Sequence, residues 1–450
     1  MPMLSTVLAF VLTLGILITF HEMGHYLVAR AAGVKVLRFS LGFGPVLWSR
    51  RFGKDQTEWS ISLLPLGGYV KMLDESEVGL VLVDGGRAFN RQSVWVKMAI
   101  VSAGPLANLL LAVLLYWFMF FHGVPAVRPI LAEPPAGSAA AIAGLHEHDE
   151  IGRIAGDSVR SWDDVNWVLL RHADRKSLLT VRLTDGRSTQ ISNAAIRLGN
   201  AQQSLPEQMG LRMYDPAIQP IIGEIVPDSI AARAGLRIGD KILALDGKSV
   251  ARWQDVVSIV RLHAEKKLVV RVERAGRIFD VLLVPGVSNE AGVQVGHIGA
   301  GPQISAQMLD DLITTVRYPW PAALGQALIK CGQTIRLNLV MMGQMLTGHV
   351  SWHNLSGPLT IADYAGQSAR MGAISFAGFL AVISISLGVL NLLPIPLLDG
   401  GYLMYYIVEV VSGSPVSQRV VELTQRAGMM VLLAVMLLAF YNDISRLSGY

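Results

Sequence analysis

Charged residues and cysteine are both scarce in this chain of 450 residues. Only 16% of the residues are charged and 52% are hydrophobic, which is too apolar for an ordinary soluble protein. Cys331 is the single cysteine, so a disulfide within the chain and a zinc site built from cysteines are both excluded. The net charge of +4 is small and no Lys/Arg-rich run contains interleaved aromatic residues, so we expect no nucleic-acid partner.

The first apolar run also lacks the basic start and the small-residue cleavage site of a signal peptide. It covers residues 7–20 and continues directly into His21-Glu-Met-Gly-His25. Two histidines four residues apart project from one face of a helix and can bind one zinc ion, and Glu22 lies where it can accept a proton from water at that ion. Ionisable groups in a membrane are costly and are usually retained for function. We therefore predict a retained transmembrane helix that carries a catalytic zinc motif.

Four apolar runs are long enough to cross a bilayer, whose core needs about 20 helical residues. They cover residues 4–27, 96–121, 374–393 and 428–441. Residues 1–3 contain no basic residue, whereas Lys and Arg are frequent between the first and second runs. The positive-inside rule therefore places the N-terminus outside and residues 28–95 in the cytoplasm.

Asp399 follows the prolines that end the third run. A carboxylate at this depth is costly unless it binds something. Because the first and third runs cross in the same direction, Asp399 reaches the membrane face where His21 and His25 lie. Two histidines and one carboxylate, with water in the fourth position, are typical of catalytic zinc. We therefore predict Asp399 as the third ligand, with a helix-capping aspartate as the alternative.

Residues 34–73 have the alternation and turn residues of β-strands. A short sheet beside the metal would offer an edge to an extended peptide, and a plain cytoplasmic hairpin is the alternative. Residues 74–92 resemble a linker.

Residues 125–300 are water-soluble in character and contain an internal repeat. Residues 138–145 match residues 229–236, and further matched positions lie the same 91 residues apart. Each copy resembles a PDZ domain, a β-rich fold whose groove binds a peptide as an added strand. His148 in the first copy replaces Gly239 in the second, so the second copy is the better candidate for peptide binding.

Three further features allow two interpretations each. Residues 324–346 are predicted to form a helix on the membrane surface, with an extra span as the alternative, because polar residues interrupt the apolar ones.

His349 and His353 have no adjacent glutamate and, like His146 and His148, are interpreted as loop histidines rather than metal ligands. Asn108, after Gly104-Pro105, is expected to support helix packing by bonding to a neighbouring helix rather than to act in an active site.

The chain resembles the site-2 protease family of intramembrane zinc metalloproteases, in particular the bacterial members that regulate sigma-E. The resemblance rests on His21–His25, Asn391–Gly400 and the tandem insert, with Gly42–Gly44, Gly67–Met72 and Asn354–Pro358 in addition. It implies Zn²⁺ held by His21, His25 and Asp399, and Glu22 as the catalytic base. It also implies that Asn391 contacts the substrate backbone, and that the strand with Tyr69, Val70, Lys71 and Met72 pairs with an unwound substrate helix.

The resemblance further implies a location in the bacterial inner membrane, with the active site near the cytoplasmic face and the PDZ-like pair in the periplasm. Expected partners are membrane lipids and single-span membrane proteins of the anti-sigma factor type, and the substrates include leftover signal peptides. The PDZ-like pair would bind peptide C-termini or trimmed substrate and exclude substrates that another protease has not yet trimmed.

The predicted fold class is a polytopic α-helical membrane protein with about four transmembrane helices, a small membrane-associated β-sheet and a β-rich tandem PDZ insert. The predicted segments are 1–27 (first transmembrane helix with the zinc motif), 28–95 (cytoplasmic or membrane-reentrant β segment and linker), 96–121 (second transmembrane helix), 122–215 and 216–301 (PDZ-like domains), 302–373 (periplasmic amphipathic helical segment), 374–401 (third transmembrane helix with the Asn-to-Asp-Gly motif) and 402–450 (connecting helix, fourth transmembrane helix and tail).

Two other classes of protein compete with the protease. A membrane-anchored PDZ scaffold with a structural zinc would depend on the Gly235-Leu236 groove and not on Glu22. A metal transporter would need several carboxylates or histidines along the membrane depth, and the other apolar runs contain almost none.

Overall fold

The computed structural model describes residues 2–75, 85–173, 177–196, 204–290, 293–347 and 357–448. His349, His353 and the start of the Asn354–Pro358 motif lie outside the described residues, as does part of the expected linker. The chain divides into two compact units. The helical unit comprises Met1–Gly123 and Arg317–Tyr450, and the β-rich unit comprises Val124–Val316.

The helices and strands are named in chain order. They are α1 (Pro2–Ala31), β1 (Val36–Phe52), β2 (Thr57–Met72), α2 (Val94–His122), β3 (Val124–Val127), α3 (Ala139–Ile142), β4 (Ile151–Ile154), β5 (Asp157–Ser158), α4 (Trp162–Arg171), β6 (Leu178–Leu183), β7 (Ser188–Ser192), α5 (Leu205–Gln208), β8 (Ile222–Ile225), α6 (Ile230–Arg233), β9 (Lys241–Leu245), β10 (Lys248–Ser249), α7 (Trp253–Leu262), β11 (Leu268–Arg274), β12 (Arg277–Leu283), β13 (Gly286–Glu290), β14 (Val293–His297), β15 (Ala300–Pro302), α8 (Ala306–Leu312), β16 (Ile313–Val316), α9 (Trp320–Leu346), α10 (Pro358–Arg370), α11 (Ala373–Leu392), α12 (Asp399–Ser412) and α13 (Gln418–Ser448).

Four helices of the described chain are long and apolar enough to cross a membrane, in agreement with the predicted number. They are Met3–Ala31, Val94–His122, Ala373–Leu392 and Gln418–Ser445, which belong to α1, α2, α11 and α13. The last is longer than the predicted 428–441, because the polar residues from Gln418 onward continue the helix ahead of the apolar run. The chain is therefore a multi-pass membrane protein.

Helix α2 packs antiparallel to both α1 and α11. On one side, His25 contacts Ile100 and His21 lies beside Asn108. Residue numbers therefore increase along α1 while those of the facing residues of α2 decrease, as in an antiparallel pair. On the other side, Gly378 of α11 lies beside Met119 of α2 and Gly388 lies beside Pro105, so these two helices also run in opposite directions. Between these contacts the Ser384 hydroxyl donates to the Asn108 carbonyl at 2.7 Å. Because α1 and α11 run in the same direction, their C-terminal ends lie on the same side of the bundle.

The chain after α11 turns back on itself before α12 begins. Pro394 and Pro396 lack a backbone N–H and cannot continue the helix, which ends at Leu392. Leu397 has a φ of 84°, in the left-handed region that a branched side chain rarely adopts. This turn brings Asp399 to the first position of α12. Asp399 does not serve as the helix cap, because the N-cap residue is Leu398.

Strands β1 and β2 form one antiparallel hairpin with an irregular register. Phe39, Ser40 and Leu41 each pair twice, once with residues 59–61 and once with residues 68–70. Since residues 39–41 lie between these two segments, the second half of β2 is at an edge of the sheet. The side chains of Phe43, Leu47 and Trp48 are exposed, so the far half of the hairpin presents an apolar surface.

Helices α9 and α10 pack against the crossing helices. Ala327 and Cys331 of α9 are buried against Ala112 and Ala381 of α2 and α11. The N-terminus of α10 is held by Asp443 of α13, which is 1% exposed and accepts hydrogen bonds from the Gly357 and Leu359 backbone N–H groups at 2.9 and 2.8 Å. A carboxylate in this position satisfies N–H groups that have no partner within the helix.

The 91-residue sequence repeat is also a repeat of structure. The β-rich unit contains two four-stranded sheets with the orders β5-β4-β6-β7 and β10-β9-β11-β12. A four-residue helix capped by a serine precedes each sheet, and a ten-residue helix, α4 or α7, follows its second strand. The His148 ring packs against the Tyr214 ring with the centroids 4.5 Å apart and the planes tilted by 53°, which fits a loop histidine.

Each repeat contains a buried carboxylate paired with an arginine, Asp149 with Arg187 and Asp240 with Arg274. Asp240 is fully buried. Burial alone would raise the pKa of Asp240, but hydrogen bonds from the Arg274 guanidinium and the Arg237 backbone N–H outweigh burial and lower that pKa.

We expect Asp240→Ala to destabilise the second repeat by about 3 kcal/mol, because it leaves Arg274 without its buried partner. Hydrogen exchange of the β9 and β11 amides in the detergent-solubilised full chain should become faster. Since the pKa of folded Asp240 lies below its ordinary value of about 3.9, the pair stabilises the fold above that pH. The difference from the wild type should therefore shrink as the pH falls through the lowered pKa.

Asp280→Ala is the matched control, since Asp280 pairs with Arg271 on the exposed face of the same sheet. We expect a much smaller change in stability there, because an exposed ion pair is screened by solvent. Equal losses of stability from the two substitutions would show that burial does not increase the contribution of the Asp240–Arg274 pair to stability.

Candidate active site

His21 and His25 of α1 and Asp399 of α12 meet in the interior of the helical unit. The Nε2 atoms of the two histidines are 3.3 Å apart. Asp399 Oδ2 lies 3.2 Å from His21 Nε2 and 3.5 Å from His25 Nε2. Within the described part of the chain, these residues are the one group of three or more His, Cys, Asp or Glu side chains close enough together to hold a metal ion.

The geometry of these three atoms fits a zinc ion. Ligand atoms about 2.0–2.1 Å from a tetrahedral zinc are separated from one another by about 3.3 Å, which matches the three distances. Asp399 Oδ2 is also buried without a hydrogen-bond donor, although both Nε2 atoms are near. A buried carboxylate oxygen that faces two imidazole nitrogens and accepts no hydrogen bond is an arrangement that a cation stabilises.

Helix α2 orients the His25 ring. His25 Nδ1 lies 2.8 Å from the Ile100 carbonyl oxygen, to which it donates its hydrogen. Neutral imidazole carries one hydrogen, so this bond leaves the lone pair of Nε2 free to bind a metal.

Gly104, one turn after Ile100, makes the room that the two rings occupy. A Cβ atom at this position would be 2.3 Å from His25 Nε2 and 2.9 Å from His21 Cε1. Any side chain here would therefore displace the histidines. The sequence drew attention to Gly104 only as a small residue for helix packing.

The Glu22 carboxyl group and the edge of the hairpin lie on the same side of the site. Glu22 is 7% exposed, and a Cβ atom at Gly68 would be 2.8 Å from Glu22 Cγ. The second half of β2 therefore passes directly over the residue that the sequence predicts as the base.

One cavity of about 540 Å³ borders the two histidines, Asp399, Glu22 and the edge of the hairpin. It is lined by His21, Glu22, His25, Gly68, Tyr69, Val70, Met72, Leu73, Asp74, Phe89, Ile100, Val101, Asn391, Leu397, Leu398, Asp399, Tyr402 and Tyr406. Of the site residues expected from the sequence, only Lys71 is outside this lining, and its side chain is exposed. Sequence reasoning missed the aromatic wall of Phe89, Tyr402 and Tyr406, since nothing in their spacing relates them to the zinc motif.

Asn108 is closer to this site than the sequence indicated. Its side chain lies beside the His21 ring, and it is 1% exposed. The expected contact with a neighbouring helix is present, but the residue contacted is one of the two histidines. Its position four residues after Gly104, on the same face of α2, is the signal that would have suggested this contact.

Two histidines of an H-E-x-x-H helix, an aspartate from a second helix and an adjacent buried glutamate define the site of a zinc peptidase. Here the histidines are on a helix that is long and apolar enough to cross a membrane, and the aspartate begins the helix that follows another such span. Comparison with known proteins agrees. The family model described as Peptidase family M50 matches residues 9–435. The chain is 39% identical to a putative zinc metalloprotease of Vibrio cholerae, and 39% identical to the regulator of sigma-E protease RseP of Escherichia coli K12, each over 98% of both chains. It is 41% identical to a putative zinc metalloprotease of Ralstonia nicotianae, also over 98% of both chains.

The chain therefore belongs to peptidase family M50 and is a zinc metalloprotease. The resemblance to the site-2 proteases and the Zn²⁺ cofactor expected from the sequence are confirmed.

We expect Gly104→Ala to lower the affinity for zinc by at least about tenfold, because the added methyl group would displace both histidine rings. The dissociation constant is measured by competition with a chromogenic chelator in detergent. Gly325→Ala on α9 is the control, since an added methyl group there meets nothing within 4 Å. If Gly104→Ala binds zinc with unchanged affinity, the two histidine rings can move aside and still bind the metal.

Proposed function

We propose that the chain cleaves the membrane-spanning segments of single-span proteins at a zinc ion held by His21, His25 and Asp399. The observation that carries this proposal is that three closely spaced ligand atoms, a buried glutamate and the edge of a β-sheet border one cavity. When bound, zinc supplies a Lewis acid that polarises a carbonyl group and lowers the pKa of water to about 7.

Glu22 is proposed as the general base and then the general acid. Its carboxylate accepts a proton from the water that attacks the scissile carbonyl, and it delivers that proton to the leaving amide nitrogen. Its burial in the cavity wall, next to His21 in the chain, supports both roles because the group is close to the reacting atoms and shielded from bulk water.

The edge of β2 and Asn391 are proposed to hold the substrate. A transmembrane helix satisfies its own amide groups, so it must unwind before the scissile bond is accessible. Pairing with Tyr69, Val70, Lys71 and Met72 would replace the lost hydrogen bonds. The position of this segment at the sheet edge supports the proposal, as does the presence of Asn391 in the lining of the same cavity.

The two repeats of the β-rich unit are proposed to be PDZ-like domains on the periplasmic side of the inner membrane, with the active site near the cytoplasmic face. Their matching strand orders support a duplicated domain, and the basic residues between the first two crossing helices support the orientation. They would admit substrates that another protease has already trimmed. The Escherichia coli relative is named a regulator of sigma-E protease, so we propose an anti-sigma factor as a substrate of this chain and leftover signal peptides as others.

We expect Glu22→Gln to retain zinc and to lose cleavage by at least about 100-fold, since a glutamine cannot accept the proton. The assay is cleavage of a purified, truncated single-span substrate in detergent, with the zinc content measured on the same sample. Glu422→Gln, at an exposed position on α13, should cleave like the wild type. A zinc-loaded Glu22→Gln enzyme with full activity would show that Glu22 is not the general base.

Removal of the metal gives a separate prediction. A zinc chelator should abolish cleavage of the truncated substrate, and added zinc should restore it. The reason is that the metal is the electrophile that polarises the scissile carbonyl group in the proposed mechanism. Cleavage that persists after the zinc content has fallen to zero would contradict the proposed mechanism.

A further inference from the structure

We propose that Asn108 is a positioning residue that holds the His21 ring in its metal-binding orientation. This inference rests on the proposed ligand set and extends it to a residue on a third helix. The Asn108 side chain lies 3.4 Å from His21 Nδ1 through its amide nitrogen. It is almost completely buried, and its amide oxygen has no hydrogen-bond partner.

The orientation of the His21 ring determines which atom of Asn108 it needs. His21 Nε2 faces His25 and Asp399, so the lone pair for a metal is on Nε2 and the ring hydrogen is on Nδ1. Nδ1–H is a donor and therefore needs an acceptor opposite it. Turned by 180°, the Asn108 amide fills the same space and presents its oxygen to Nδ1–H. That oxygen then gains a donor.

The two histidines would thus be oriented from one face of α2. Ile100, Gly104 and Asn108 are spaced four residues apart and lie on the same side of the helix. The Ile100 carbonyl accepts from His25, Gly104 makes room for both rings, and Asn108 faces His21. His25 has a backbone acceptor that no substitution can remove, whereas His21 depends on a side chain.

Asn108 is itself fixed in place. Its backbone carbonyl accepts a hydrogen bond from the Ser384 hydroxyl of α11 at 2.7 Å. Its side chain is also buried, so the amide loses little conformational freedom when it binds the ring, which suits a residue that orients a metal ligand.

The test is the zinc affinity of the detergent-solubilised full chain, with the absorption spectrum of the cobalt-substituted protein as a second readout. We expect Asn108→Leu, which keeps the size but has no acceptor, to weaken zinc binding about 10–100-fold and to change the cobalt spectrum. Asn108→Asp keeps an acceptor oxygen and should restore binding. Asn338→Leu on α9, which removes an amide bonded to Ser386 elsewhere in the bundle, should bind zinc like the wild type.

His21→Ala separates failure of this inference from failure of the proposed site. If His21→Ala loses zinc while Asn108→Leu binds it with wild-type affinity, Asn108 only packs and the inference is wrong. If His21→Ala also binds zinc like the wild type, the proposed ligand set itself is wrong. Thermal unfolding of the metal-free proteins shows whether Asn108→Leu is folded, and Asn108→Ala replaces it if it does not accumulate.

Discussion

The close approach of α2 to α1 is the contact on which the site depends. Gly24 allows it on the α1 side, where a Cβ atom would be 2.2 Å from the Ala103 carbonyl oxygen, and Gly104 allows it on the α2 side. Without hydrophobic attraction between helices in a bilayer, small residues that let backbones approach are a main source of packing energy. Here the same contact also places the backbone of α2 within hydrogen-bonding distance of a histidine.

Two buried ionisable groups in the helical unit have hydrogen-bond partners of matching chemistry. Asp443 receives the N–H groups at the start of α10, and His25 donates to a backbone carbonyl. Asp399 Oδ2 differs, since it has two imidazole nitrogens near it and no donor. An unpaired buried charge is expensive in a membrane, so the arrangement is understandable once zinc is counted among the partners.

Much of the site was predictable because its signals are local or follow from the count of crossings. The four-residue spacing of His21 and His25 requires only a helix, and Asp399 follows from the parallel directions of α1 and α11. The contribution of α2 was harder to foresee, because a carbonyl such as that of Ile100 has no sequence signature. Asn108 was expected to serve packing, since the small residues around it favour close helices and nothing in the sequence identifies which helix is the neighbour.

Elements that depend on long-range pairing were also predicted less fully than the helices. The alternation in residues 34–73 indicated strands, but not that residues 39–41 would pair on both sides, because register depends on how the second strand bends. The extent of α13 was underestimated because a polar start gives no hydropathy signal, although it continues the helix without a break.

The placement of Asp399 far along the chain from His21 has a consequence for biosynthesis. The ribosome makes the histidine helix first and the aspartate only after α11 has been synthesised. Until α11 has entered the bilayer and the turn after it has formed, the growing chain lacks the proposed third ligand. With the proposed ligand set, a newly made chain passes through most of its insertion without a complete metal site and becomes able to cleave its substrate only at a late stage of assembly.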